Sequence, residues 1–449
     1  MNASIDWKNT FDYLRRLLGN PSIGAEVLAD RQRLSPFQNR THTGSCSPLL
    51  LDPRFSEAVS LAVERYQQLL VRLVACYKQQ AAVRDYFALD GEIEQAILDE
   101  PEFERICIAR FDGYIAAKDG SYKILEHNAD SPAGTYFTSR VGEIASDTTE
   151  RVLPRNGRKR FPLDSAQCFL DALLAEYASS RPEGRPTITI LQPSGESNRE
   201  SLALAEHARS LGYAAEVADP RNLSFQGNCV YSANGRVDLV WNKINVANWM
   251  PLFGSDHRFI RQLALSAKQR AVCNINAFAA RHVLENKLSL AFFQEDRFAA
   301  LLEEEGRALI RQLLPWGTKL EPGKRVRFEG KPQDLRQLVL EHPARFVIKQ
   351  HYDIRGDGVT IGRSTARSAW TECVETGFER GYLVQEYITP MTVPVAFHDG
   401  DFHVSNLNFS LDSFVFRGRH VGFGSKASAQ DKVNLFQGGT KIAVQTVEA

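Results

Sequence analysis

Residues 346–362, FVIKQHYDIRGDGVTIG, constrain the possible fold more than any other stretch. Phe346-Val347-Ile348 is a short apolar run that reads as a buried strand, and it ends on one basic residue, Lys349. A loop with Arg355, Gly356, Asp357 and Gly358 follows, then a second β-prone run over 359–362. Strand, glycine loop, strand folds backbone amides over a phosphate chain. Lys349 is placed to neutralise the same oxygens. Residues 382–388, YLVQEYI, read as a further strand that carries Gln385, Glu386 and Tyr387. Together these elements point to a nucleotide cleft.

A chain of 449 residues exceeds one compact core, and two to four domains are expected. Its formal net charge of zero excludes a broad nucleic-acid or anionic-membrane surface. The seven cysteines are widely spread, without a CxxC pair or zinc spacing. Such spacing fits reduced thiols in a cytoplasmic protein. Residues 1–20 lack a basic segment followed by an apolar core, so no secretory signal is expected. No apolar run reaches bilayer-spanning length.

Residues 1–100 read as a helical region for packing and dimerisation, with residues 56–80 apolar at helical spacing and a short helix over 92–99. A hairpin follows: 106–112 alternates, Asp119-Gly120 turns, and 122–126 returns. The basic run 155–160 reads as a solvated loop. Residues 185–278 read as a small Rossmann-like α/β block, opened by TITIL at 187–191. Its first turn lacks GxGxxG and is not a dinucleotide site. Residues 281–294, with Asn286 and Lys287, read as a helix; 402–409 and 414–417 as antiparallel strands; and 437–440 as a closing glycine loop.

In the hairpin, Asp112 and Glu126 end facing strands, and Asn128 projects to the same side as Glu126. Two carboxylates and an amide oxygen form a hard-oxygen set suited to Mg²⁺. Arg110, two residues from Asp112, shares its face and can stabilise charge on a transferring phosphoryl group. His127 and His351 fall inside the two proposed loops. A metal set and a phosphate cradle are the halves of an ATP-using site. The glycine loop is not a Walker P-loop, and no kinase HRD or DFG element follows FVIK.

RFDG at 110–113, EHNADSPAG at 126–134, ENKLSL at 285–290, FVIK with RGDG, and LVQEYITP at 383–390 resemble the circularly permuted ATP-grasp ligases. The synthetase domain of glutathionylspermidine synthase and its uncharacterised homologues are similar in motif order. The resemblance implies an α+β and α/β ATP-grasp fold with its nucleotide cleft between two lobes. The helical region 1–100 would precede a metal-binding hairpin segment, 101–184. The α/β substrate domain, 185–278, and a nucleotide lobe with the rest of the core, 279–449, would follow. It also implies ATP and Mg²⁺ as cofactors and a small carboxylic acid and an amine as substrates. The amine would be an amino acid, short peptide or polyamine. A homodimer is compatible with it.

Position by position, Asp112, Glu126 and Asn128 match the family's magnesium ligands and Arg110 its transition-state arginine. Lys287 and Lys349 match its nucleotide-phosphate lysines. Arg355, Gly356, Asp357 and Gly358 match the flap, and Gln385, Glu386 and Tyr387 the strand beside adenine. Two departures stand out: the flap carboxylate is displaced by one residue, and Lys426 in Ser425-Lys426-Ala427-Ser428 stands where relatives carry an acyl-phosphate-binding arginine. The implied activity is ADP-forming carboxylate–amine ligation. A degenerate ATP-binding protein and a phosphotransferase remain open alternatives.

Overall fold

The structure is a computed structural model. It describes residues 4–20, 22–23, 25–27, 29, 45–100, 106–153, 165–180, 184–195, 199–254, 256–353, 356–398, 400–435 and 438–447. The basic run 155–160 and Arg355 lie outside the described residues.

Three sheets position the site, and their strands interleave along the chain. β1 (Ile108–Ile115) and β2 (Tyr122–Asn128) come first. β3 (Ile188–Leu191), β4 (Ala215–Ala218), β5 (Leu239–Asn242) and β6 (Cys273–Ile275) follow. β7 (Gly317–Lys319), β8 (Phe346–Lys349), β9 (Val359–Ile361) and β10 (Leu383–Glu386) make the next group. β11 (Thr392–His398), β12 (Phe402–Phe409), β13 (Leu411–Phe416), β14 (Arg419–Ser428) and β15 (Thr440–Ile442) complete them.

The seven-stranded sheet runs β11-β12-β14-β13-β1-β2, with β15 pairing β14, all antiparallel. The early hairpin β1–β2 is therefore built into strands from the end of the chain. β3 to β6 form a parallel sheet in the order β6-β5-β3-β4. A helix, Arg199–Ser210, crosses between β3 and β4, as a parallel connection requires. The third sheet, β7-β10-β8-β9, is antiparallel. Phe346, Ile348 and Val384 meet Trp370, Val374 and Phe378 of the covering helix Arg367–Arg380 in its core.

The N-terminal region is helical: α1 (Trp7–Leu18), α2 (Pro53–Gln79), α3 (Ala81–Phe87) and α4 (Gly91–Asp99). Asp52 starts α2 by accepting from the amides of Arg54 at 2.9 Å and Phe55 at 3.1 Å, with Pro53 in the first turn. Val59, Val63, Tyr66, Leu70, Leu73 and Tyr77 form its buried stripe. That stripe packs against the side of β13 and β14 away from the cavity. Packing is what α2 does in this chain.

Two expectations need correction. Residues 281–294 are not one helix but a wide turn, Ala280–Leu284, followed by tight turns Lys287–Leu290 and Phe292–Gln294. Asn286 takes an extended conformation and accepts from the Leu288 amide at 3.0 Å, which restarts the chain instead of continuing it. The closing loop gives way at Thr440 to β15, which pairs with β14. Among the described residues no helix is long and apolar enough to cross a membrane, and no disulfide joins any of the seven cysteines.

Candidate active site

Cross-strand register builds the first wall. Asp112 faces Glu126 and Arg110 faces Asn128 across β1–β2, so the four side chains share one face. Phe111, between them, points the other way and packs on Tyr66 and His127. On the other flank of β1, Asp412 is the cross-strand partner of Asp112. Arg110 clamps Asp112 through Nε at 2.5 Å and Nη2 at 3.0 Å. Lys426 Nζ from β14 bridges Asp112 and Asp412 at 2.9 Å each.

The third sheet supplies the opposite wall. Lys349 ends β8, and its Nζ donates to the Leu125 carbonyl at 2.6 Å, beside Glu126. Gln385, Glu386 and Tyr387 lie along β10 and just past it. Among the described residues the buried Gln385 Nε2 has no hydrogen-bond partner. Both walls enclose one cavity of about 770 Å³ lined by Arg110, Asp112, Glu126, Asn128, Lys349, Gln385, Glu386, Tyr387 and Lys426. That size suits a ligand larger than a single amino acid.

Not every expected residue reaches the cavity. Lys287 is buried behind Glu126, with Nζ 2.7 Å from Glu126 Oε1 and 3.6 Å from Glu285. Of the glycine loop, Gly356 lines the cavity, whereas Asp357 and Gly358 do not. Gly356 needs a positive φ, +80°, and its carbonyl accepts from Lys432. The Gly358 amide donates to Asp353 at 2.9 Å. His127 is buried between Tyr66 and Ser289, hydrogen-bonded to each at 2.8 Å. His351 Nε2 donates to the Gly381 carbonyl at 2.9 Å. Neither histidine lines the cavity.

Neighbouring charges set the ionisation of this wall. Burial opposes ionisation of Asp112, yet Arg110 and Lys426 outweigh it and hold the carboxyl well below its usual range. Asp412 goes the other way: burial, and then the Asp112 charge, push it up to about 6. Burial brings Lys349 down to about 8, against the pull of Glu126. Lys287 stays firmly charged, because Glu126 and Glu285 overcome its burial.

The donor set fits Mg²⁺. Asp112, Glu126 and Asn128 present two carboxylates and an amide on one face of the cavity, and among the described residues the buried Asn128 Nδ2 has no hydrogen-bond partner. Three oxygen donors leave positions for phosphate oxygens and water, as this ion prefers. Sequence reasoning missed Asp412, Glu285 and Lys441, which also line the cavity. For Asp412 the signal lay in FSLDSFVF, but its meeting with Asp112 depends on a register between distant strands.

Residues 98–439 match the model of a family described as circularly permuted ATP-grasp type 2. The chain belongs to that family. In chain order the hairpin β1–β2 precedes the sheet β7-β10-β8-β9. A glutathione synthetase-like effector from Globodera pallida, solved in apo form, has the same fold. It is 13% identical, with 95% of this chain and 98% of that chain covered and a TM-score of 0.59. A putative gamma-glutamylcysteine synthetase from Methylobacillus flagellatus KT is 12% identical, over 84% of this chain and 87% of that chain, with a TM-score of 0.40. D-alanyl-alanine synthetase A from Vibrio cholerae O1 biovar eltor is 12% identical, over 53% of this chain and 86% of that chain, at 0.27. These two likenesses are too slight to carry an argument. No curated protein matches the chain.

Proposed function

We propose that the protein is an ATP- and Mg²⁺-dependent ligase that joins a carboxylic acid to an amine and releases ADP and phosphate. One observation carries this reading: the Asp112–Glu126–Asn128 wall and the Lys349–Gln385–Glu386 wall border the same cavity. A triphosphate extending from Gln385, Glu386 and Tyr387 past Lys349 arrives at the carboxylates. Mg²⁺ held by Asp112, Glu126 and Asn128 would neutralise phosphate oxygens and align the γ-phosphoryl group.

The protein's own groups do the rest. Lys349 bears charge on the phosphates, and Lys287, behind the wall, holds Glu126 in place. Arg110 and Lys426 face the transfer point and stabilise the transferring phosphoryl group and the acyl phosphate. A substrate carboxylate oxygen attacks the γ-phosphorus, and the bond to the bridging oxygen of ADP breaks. The amine nitrogen then adds to the acyl carbon, the carbon–oxygen bond to phosphate breaks, and the surplus amine proton passes to solvent. Closure of the flap, Arg355 to Gly358, keeps water off the acyl phosphate. The acid and amine are drawn from amino acids, short peptides and polyamines, for a small peptide-like product. A glutathione-related ligase is the second reading, favoured by the fold shared with the glutathione synthetase-like effector.

A panel of acids and amines scored for ADP release, with mass spectrometry of products, tests this. Hydroxylamine should trap the activated acid as a hydroxamate. A protein that only senses ATP yields neither signal, and a phosphotransferase yields a stable phosphorylated product without hydroxamate. Absence of any acid-dependent ADP release rules the ligase out.

A further inference from the structure

We infer that Asp412 is a positioning residue, which keeps the Lys426 ammonium at the transfer point when Asp112 turns to Mg²⁺. This rests on the ligase reading above. Asp412 stands on β13 directly across from Asp112 on β1. Side chains so opposed have Cβ atoms about 5 Å apart, and like charges there repel. The pairing is held by Lys426, whose Nζ lies 2.9 Å from an oxygen of each aspartate. Beside them the register is pinned. The buried Tyr122 hydroxyl lies 3.1 Å from the Leu411 carbonyl oxygen and from Ser413 Oγ, and 3.3 Å from the Phe111 carbonyl oxygen.

The two aspartates are not equivalent. Asp112 meets two cations, Arg110 through Nε and Nη2 and Lys426 through Nζ. Among the described residues, the ion pair of Asp412 is with Lys426, through Oδ2, and its buried Oδ1 has no hydrogen-bond partner. Asp112 is also one of the three oxygen donors that suit Mg²⁺. Asp412 is not one of them.

That difference decides where Lys426 goes. A metal ion at Asp112 engages its oxygens and repels a neighbouring ammonium. Lysine is a point charge on a flexible stem, without the planar fork by which arginine fixes itself. With Asp112 as its only anchor, Lys426 would compete with the metal or leave the transfer point. Asp412 gives it an anchor that the metal does not claim. The two side chains are 6% and 18% exposed, so salt and water screen their attraction little. Burial works against the Lys426 charge, and Asp112 and Asp412 outweigh it.

Calorimetry of Mg²⁺ binding in saturating ADP tests this without turnover. Lys426→Met alone should change the Mg²⁺ Kd by less than about twofold, because Lys426 rests on Asp412. Asp412→Asn should weaken Mg²⁺ by about fivefold or more, and Lys426→Met added to it should restore the affinity. With an accepted acid, Asp412→Asn should lower kcat about tenfold or more, keep KM for ATP within about twofold, and cost nothing further in Lys426→Met. Losses that multiply, or an Mg²⁺ Kd in Asp412→Asn that Lys426→Met does not change, overturn the inference. Should Asp412→Asn fold poorly, Lys426→Met alone still decides: Mg²⁺ bound about fivefold tighter would mean that Lys426 competes with the metal even beside Asp412. If ADP and Mg²⁺ do not bind, the nucleotide reading falls and this inference with it. If they bind as stated and no acid releases ADP, the ligase reading alone falls.

Discussion

Asp112 accepts from Arg110 with both oxygens and from Lys426 with Oδ2, and Lys349 reaches across to the Leu125 carbonyl from the other wall. Asp112→Asn keeps the shape and removes the charge that both cations face. Lys349→Ala removes the cation that reaches the hairpin from the opposite wall. Each should lower acid-dependent ADP release by about 10²–10³-fold with circular dichroism unchanged; unaltered turnover in either variant excludes that residue from the mechanism. Glu100 offers a test of another kind. It accepts from the amides of Phe278 at 2.7 Å and Ala279 at 3.1 Å, and burial, despite those bonds, raises it to about 7. The folded state thus holds the proton to higher pH than the unfolded chain does. Its contribution to stability is full below pH 4.5 and is lost as pH rises through about 7. That loss amounts to about 3 kcal/mol. Denaturant titrations at pH 5 and pH 8 should show Glu100→Gln losing less stability between them than the unaltered protein; equal slopes would exclude this role.

At the scale of elements, the hairpin is the part whose shape the chemistry depends on. The β1–β2 register shifts between Asp112 and Gly113, and this irregularity aims Asp112 at the cavity. A Cβ at Gly113 would lie 2.6 Å from the Lys123 carbonyl oxygen and 2.7 Å from the Tyr122 ring. Gly113→Ala should therefore push β1 from β2, cost about 1–3 kcal/mol in denaturant unfolding, and weaken ADP release more than it weakens nucleotide binding. A variant with both properties intact would show that the irregularity is not needed. The hairpin, α2 and the β3–β4 crossover were legible because each follows a local period bounded by Gly, Pro or a capping side chain. The 281–294 stretch was not. Its apolar spacing is helical, but the Asn286 side chain competes for the backbone and breaks the run.

Across the whole molecule, the cavity exists only while the two sheets face each other. Besides Lys349, the Ala117 amide meets the Thr389 carbonyl at 2.9 Å and the Met391 amide meets the Ile115 carbonyl at 2.8 Å, tying the end of β1 to the segment after β10. A non-hydrolysable ATP analogue with Mg²⁺ at a hundred times its Kd should stabilise the fold by about 2.7 kcal/mol. It should also slow hydrogen exchange in β1–β2 and β8–β10 together, and Lys349→Ala should weaken both effects. Protection confined to one sheet would mean that the nucleotide does not span the cavity. The sequence by itself determined the order of the pieces, the Asp112–Glu126 hairpin before the Lys349 strand, and the chemical identity of Asp112, Glu126, Asn128 and Lys349, because those lie in short runs whose period and punctuation are local. Only the tertiary structure decided that Asp412 meets Asp112, that Lys287 sits behind Glu126, and that Lys441 stands opposite Lys426. Those meetings bring together segments far apart in the chain, and side-chain periodicity within a strand carries no information about which distant segment will lie beside it.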